Sequence, residues 1–208
     1  LLAGLSEGSV ILIHSTILPS TAEEVSEAAA AKNIEVMDAC VTGGAARAET
    51  RELTLLIGGP ESALEKCQPY FKAITDVDLI HAGPLGCGAK LKLCINLITY
   101  IQWAAAFEAA TLAKSAGLSL DVLQQAGQSN GQITPMMIAY MGSQSMPDEA
   151  RNSEAFQSFM LSNTRIAEKD LAWALQLGRE GEVSLPVGGL VSQLMSKLYG
   201  LNEKTRPQ

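Results

Sequence analysis

The feature that most constrains this chain is a change of hydrophobic pattern at Gly83. Before it, short runs rich in β-branched residues alternate with alanine-rich, helix-forming stretches. From Pro84 to the end no strand-like run occurs, and long segments keep a helical period. Alternation with short links implies an open α/β sheet, because each helix has to cross back over the sheet to reach the next strand. The pattern therefore predicts an α/β domain over 1–83 and an all-α domain over 84–208.

In the first part, strands are expected at 9–15 (SVILIHS), 34–39 (IEVMDA), 52–59 (ELTLLIGG) and 78–83 (DLIHAG). Helices are expected from Pro19 to Lys32 and over 60–73, each introduced by a proline, with a glycine-containing loop after the second strand. In the second part, a helix from about Gly86 to Ala116 is too long and too apolar for a solvated surface helix, and is expected to run buried through the centre of the domain. Further helices are expected at 119–127, 132–142, near 154–160, at 162–179 capped by Ser162 or Asn163, and at 187–200, with a polar loop at 143–153 and a loosely held tail after Leu201.

Composition narrows the classes of function. The 208 residues carry a formal net charge of −7, and no cluster of Lys and Arg offers a nucleic-acid footprint. The apolar fraction of 47% supports an ordinary globular core. Cys40, Cys67, Cys87 and Cys94 show no CxxC spacing, and with only His14 and His81 available no zinc cluster is expected. Reduced thiols in a cytoplasmic setting are the expectation. The most membrane-like stretch, Leu93 to Phe107, is interrupted by Asn96, Thr99 and Gln102 and falls short of the ~20 residues of a span.

Four segments carry candidate chemistry. In Thr42-Gly43-Gly44, a hydroxyl and successive backbone N–H groups suit a carboxylate, although a Gly-Gly pair also serves simple chain reversal. At the start of the long helix, Lys92 and Asn96 stand four apart on one face, whereas Lys90 points some 200° away from Lys92. A lysine against apolar surface has its pKa lowered from ~10.4 towards the range of a proton donor and acceptor, while a lysine that snorkels to water does not. Lys169-Asp170 reads by itself as a solvated charge pair on a helix. Finally, His14 to Pro19 follows the first strand, at the strand end where open α/β sheets bind ligands, and serves equally as a turn and cap.

In this order the four segments resemble the β-hydroxyacid dehydrogenase family, which includes hydroxyisobutyrate dehydrogenases, tartronate semialdehyde reductases and glyoxylate/succinic semialdehyde reductases. The resemblance implies a nicotinamide cofactor, NAD or NADP, with Thr16 and Lys169 contacting its nicotinamide end. It also implies Lys92 as the catalytic general acid and base, with Thr42, Gly43, Gly44, Asn96 and Asp170 on the substrate side. The implied substrate is a small hydroxy acid or semialdehyde lying between the Thr42-Gly43-Gly44 loop and the Lys92-Asn96 helix face, and the implied assembly is a homodimer or homotetramer.

The chain departs from the family pattern at Cys40, where proline is usual, at Thr42, usually serine, and at Arg51, commonly glycine. Asn96 rather than position 95 holds the asparagine, as in the glyoxylate/succinic semialdehyde reductase branch. Phosphogluconate dehydrogenases place a His-Asn pair and later a glutamate where this chain has Ile95, Asn96 and Thr99, and imine reductases replace the lysine. No Gly-x-Gly-x-x-Gly follows a strand, since Gly83-Pro84-Leu85-Gly86-Cys87-Gly88 lies after the sheet and leads into the long helix. With Leu1 as first residue, the expectation is the C-terminal half of a Rossmann-type domain followed by the all-α domain, a fragment inactive without a cofactor-binding front. The competing expectation is a non-catalytic oligomerisation or interaction domain.

Overall fold

A computed structural model of the chain describes residues 1–77 and 79–206. The chain divides into two compact units, Leu1–Ile95 and the residues from Asn96 onward. The expected change of architecture at 83/84 and this division are 12 residues apart, because the long helix contributes its first turns to the first unit.

The first unit is built on four strands, β1 (Val10–Ile13), β2 (Glu35–Thr42), β3 (Thr54–Gly58) and β4 (Ile80–Gly83), in the spatial order β1-β2-β3-β4. All four follow the expected runs, though Asp78, where the last was expected to begin, lies outside the described residues. Helix α1 (Pro19–Ala30) joins β1 to a parallel β2, and α3 (Glu61–Ile74) joins β3 to a parallel β4. β2 and β3 instead run antiparallel, so the sheet is mixed. The link between them is too short for a crossover, which needs a dozen or more residues. That link is not a plain loop, because Ala45, Ala46 and Ala48 favour helix and produce a short α2 (Gly44–Glu49).

Arg51, at the position where glycine is common, adopts φ 59°, a left-handed conformation that costs about 1–2 kcal/mol for a residue with a Cβ. Its guanidinium offsets this by donating to the Ala73 and Lys72 carbonyls at the end of α3 and to both oxygens of Asp76 at 3.0 and 2.8 Å. The paired guanidinium holds the Asp76 carboxyl below the usual carboxylate range.

The long helix is α4 (Cys87–Ser115). It is not buried all round: Ala89, Leu93, Asn96 and Tyr100 face inward, while Ile98 (51% exposed) and Leu112 (69%) face outward. Length and composition alone would let α4 cross a bilayer, the one such helix among the described residues, and a core helix of a soluble protein meets the same test.

The second unit continues with α5 (Leu120–Ser129), α6 (Pro135–Ser143), α7 (Asp148–Arg151), α8 (Glu154–Glu180), α9 (Pro186–Gln193) and α10 (Met195–Leu198). Ser119 and Thr134 cap α5 and α6 by accepting from Val122 N and Met137 N at 3.3 Å. The two helices expected at 154–160 and 162–179 are one. Ser162, Asn163 and Thr164 do not cap a new helix; their side chains donate back to the carbonyls of Ser158, Phe159 and Met160 at 3.1, 2.9 and 2.8 Å. The single helix expected at 187–200 is interrupted at Leu194, and the polar loop at 143–153 contains α7. The tail is held as far as it is described: Asn202 N donates to the buried Gln157 at 3.0 Å, and Arg206 pairs with Glu168 at 2.6 Å. Leu171, Met141, Met195 and Leu198 lie at the centre of this unit's core.

Candidate functional site

Candidate residues fall into two constellations, one in each unit. In the first unit, three segments meet above the carboxyl end of β2. The turn after β1 is pinned by Cys40, whose thiol donates to Ser15 O at 3.4 Å. His14 is also structural. Its Nδ1 donates to Ala39 O at 2.7 Å, since a carbonyl can only accept, and Nε2 is hydrogen-bonded to the Tyr70 hydroxyl at 2.9 Å, with the rings stacked. Thr16 lies half-buried in this turn.

Thr42 ends β2, and the next two residues take φ values of 131° and 72°. Only glycine adopts such values without strain, and a Cβ at Gly43 would stand 2.9 Å from the Arg47 side chain. Thr42 is half-buried and Gly43 and Gly44 are exposed, so the loop offers one hydroxyl beside accessible backbone.

The third segment is the start of α4. Cys40, Leu56 and Ala89 form a buried cluster against which Ile17, Leu91 and Ile95 pack, drawing the neighbours of Thr16, Thr42 and Lys92 together. Lys92 is half-buried and Lys90 exposed, as their 200° separation on the helix requires.

Asp38, which opens the segment that runs to Gly44 and had no role on sequence grounds, seats this helix. Asp38 on β2 is fully buried, and its two carboxylate oxygens accept from Gly86 N at 2.7 Å and Ala89 N at 2.6 Å. Burial pushes its carboxyl above the ordinary carboxylate range, and the backbone N–H bonds pull partly back. The N-terminus of α4 is thus closed by a carboxylate, so the glycines of Gly83 to Gly88 do not form an open phosphate cradle. An aspartate two residues before Cys40 was visible in the sequence; its burial and its backbone partners were not.

The second constellation centres on Asp170 of α8, which is 2% exposed. Its Oδ2 accepts from Asn96 Nδ2 at 2.7 Å and, more weakly, from Tyr100 OH at 3.4 Å. The Lys169 ammonium lies 3.0 Å from Oδ1 as an ion pair without hydrogen-bond geometry, and sits 4.0 Å from the centre of the Trp173 ring. Lys169-Asp170 is therefore not the solvated pair that its spacing suggested. Burial pushes the phenols of Tyr100 and Tyr199 well above the ordinary tyrosine range, which keeps them protonated donors at neutral pH. Since a carboxylate only accepts, Asp170 sets the flip of the Asn96 amide and leaves its carbonyl oxygen on the other side. Asn96, Lys169 and Asp170 are thus gathered in one unit, and Thr16, Thr42, Gly43, Gly44 and Lys92 lie in the other.

Comparison with known proteins shows the family of the chain. Residues 1–87 match the NAD binding domain of 6-phosphogluconate dehydrogenase, and residues 86–204 match the NAD-binding domain of NADP-dependent 3-hydroxyisobutyrate dehydrogenase. The chain is 32% identical to the 3-hydroxyisobutyrate dehydrogenase of Pseudomonas aeruginosa, covering 94% of this chain and 65% of that protein. It is 30% identical to an NAD-dependent L-serine dehydrogenase of the same organism, covering 93% and 64%. The crystal structure of a 3-hydroxyisobutyrate dehydrogenase from Salmonella typhimurium superposes with a TM-score of 0.78 at 25% identity, covering 94% of this chain and 66% of that one. The chain thus spans just under two thirds of the length of these relatives. With a family match running through more than half of its length and a mixed sheet followed by helices in the same order, this chain belongs to the β-hydroxyacid dehydrogenase family.

Proposed function

We propose that the protein carrying this chain is an NAD(P)-dependent oxidoreductase that interconverts a small β-hydroxy acid and its semialdehyde, with Lys92 as the proton-transfer group. The observation that supports this most directly is the seating of Lys92: half-buried, on a helix clamped to the strand that ends in Thr42-Gly43-Gly44. The two Pseudomonas aeruginosa relatives are named for 3-hydroxyisobutyrate and L-serine. Both molecules have the form HOCH2–CH(R)–COO−, a primary alcohol next to the carbon that bears a carboxylate. That is the substrate class proposed here.

The Thr42 hydroxyl and the Gly43-Gly44 backbone would hold the carboxylate, and Asn96 would accept or donate at the hydroxyl end. In oxidation Lys92, as the neutral amine, takes the hydroxyl proton as the carbon loses hydride; in reduction its ammonium returns that proton to the carbonyl oxygen. The nicotinamide cofactor, when bound, supplies the hydride acceptor or donor. By the family resemblance Thr16 and Lys169 would contact its nicotinamide end, while the glycines before α4 are committed to Asp38.

Lys92→Ala is expected to lower turnover by about 10²–10⁴-fold with an unchanged circular dichroism spectrum. Undiminished turnover would refute the assignment, and failure of NADH and NADPH to bind would favour a non-catalytic domain. A second copy of the chain is proposed to cover the exposed row Cys94, Ile98, Ala105 and Leu112 on α4, whose spacing keeps one face. Ile98→Glu should then shift the mass measured by light scattering towards the monomer.

A further inference from the structure

We propose that Asp38 is a positioning residue that locks Lys92 in register with the Thr42-Gly43-Gly44 loop, making β2 the common frame of both. The inference rests on Lys92 being the proton-transfer group.

A helix N-terminus is normally capped from within, by a Ser, Thr, Asp or Asn directly before the first turn. Gly86, directly before α4, has no side chain to do so. The acceptors come instead from a strand 48 and 51 residues away in sequence, and one carboxylate takes both N–H groups. A fully buried carboxylate is costly to desolvate, so as a mere cap it is a poor choice compared with a local hydroxyl. What the long-range arrangement adds is a rigid tie between strand and helix.

The surroundings hold that tie without slack. Gly58 stands opposite Asp38 on β3, and a Cβ there would fall 2.5 Å from Asp38 Oδ1 and 2.8 Å from Cys87 N and Gly88 N. A Cβ at Gly88 would fall 2.4 Å from Leu56 O. Helix and sheet therefore meet backbone to backbone. Along β2, Asp38, Cys40 and Thr42 share one face by the two-residue period of a strand. The first caps α4, the second packs on Ala89, and the third opens the glycine loop. Lys92 follows Ala89 by three residues, less than one helical turn. A change in how Asp38 holds Gly86 and Ala89 consequently moves Lys92 relative to Thr42, and it also changes the charge at the positive end of the helix that carries Lys92.

The test compares Asp38→Asn, which keeps the shape and loses the charge and one acceptor, with Phe71→Leu, a core change in the same unit chosen to match its loss of Tm. Two quantities are read: kcat and KM of the protein, and the titration of the Lys92 amine by NMR of 13C-methylated lysines, assigned with Lys92→Arg. For Asp38→Asn, kcat is expected to fall about 10–100-fold with the cofactor KM unchanged. The Lys92 midpoint should fall by about half a pH unit, because a negative charge has left the helix end. Phe71→Leu should change neither.

The proposal is overturned by a Lys92 titration that does not move in Asp38→Asn, and equally by a kcat that falls no further than in Phe71→Leu. Should Asp38→Asn fail to fold, Asp38→Glu decides: it keeps the charge and displaces the oxygens, so its Lys92 titration should lie near the wild type while kcat falls, and a wild-type kcat would overturn the proposal. If Lys92→Ala keeps turnover while Asp38→Asn still shifts the Lys92 midpoint, the role of Lys92 fails and the tie made by Asp38 stands.

Discussion

Among the described residues each unit buries one aspartate, and the two are satisfied in opposite ways. Asp38 is met by backbone N–H groups, at a junction where Gly58 and Gly88 let helix and sheet touch. Asp170 is met by side chains, Asn96 and Tyr100 from α4 and Lys169 from its own helix. The first arrangement tolerates no added bulk at Gly58 and Gly88 and uses no donor side chain. The second depends on the identity of each donor.

The largest expected effect breaks the first junction. Gly88→Ala places a methyl group against the Leu56 carbonyl and the Gly58 amide and is expected to destabilise the first unit by about 3 kcal/mol, read as a lower urea midpoint. If the loss is under about 1 kcal/mol, the backbones are not in contact and the contrast between the two aspartates weakens.

In the second unit, Asp170→Ala orphans the buried Asn96 amide and removes the weaker acceptor of Tyr100, with an expected loss of about 2–4 kcal/mol. Asp170→Asn, which keeps an acceptor for Asn96, should recover a good part of it. Equal losses for the two variants would mean that charge, not hydrogen bonding, is what matters there.

The smallest effect is in pH. The Asp38 carboxyl is raised in the folded state, so between the unfolded value of ~3.9 and its own higher value the folded chain binds more protons. Its contribution to stability is thus fully present below the unfolded value and is lost as pH rises through the folded one. Asp76 is lowered, so its contribution is present above ~3.9 and lost as pH falls below it. As pH rises above ~3.9, the urea midpoint of the wild type should therefore fall relative to that of Asp38→Asn, while Arg51→Ala removes the stability that the wild type loses as pH falls below ~3.9. Parallel profiles for wild type and Asp38→Asn would mean that Asp38 has the same pKa folded and unfolded.

Much of the fold was legible. Short β-branched runs mark all four strands, and the prolines at 19 and 60 mark where α1 and α3 begin. The errors have local causes. Ser162 and Asn163 read as caps because those side chains prefer to bond nearby backbone, and here they bond backwards within α8 instead of starting a helix. The link after β2 read as a loop because of its glycines, although the alanines that follow make α2. Arg51 read as an anomaly, and the left-handed backbone beneath it shows why glycine suits that position. In the candidate site, Lys92, Asn96 and Asp170 were singled out by the family resemblance, since spacing alone read Lys92 as a surface lysine and Lys169-Asp170 as a solvated pair.

What the sequence by itself determined is the four strands, the change to helices after them and the faces on which Lys92, Asn96 and Lys90 lie, because these follow from residue periodicity along one chain; the family followed from its ordered motifs. Only the tertiary structure decided the antiparallel pairing of β2 and β3, the burial of Asp170, and the seating of α4 on Asp38. Those depend on which distant segments meet. For Asp38 the partners are main-chain N–H groups, which every residue except proline carries, so no side chain in the sequence announces the contact.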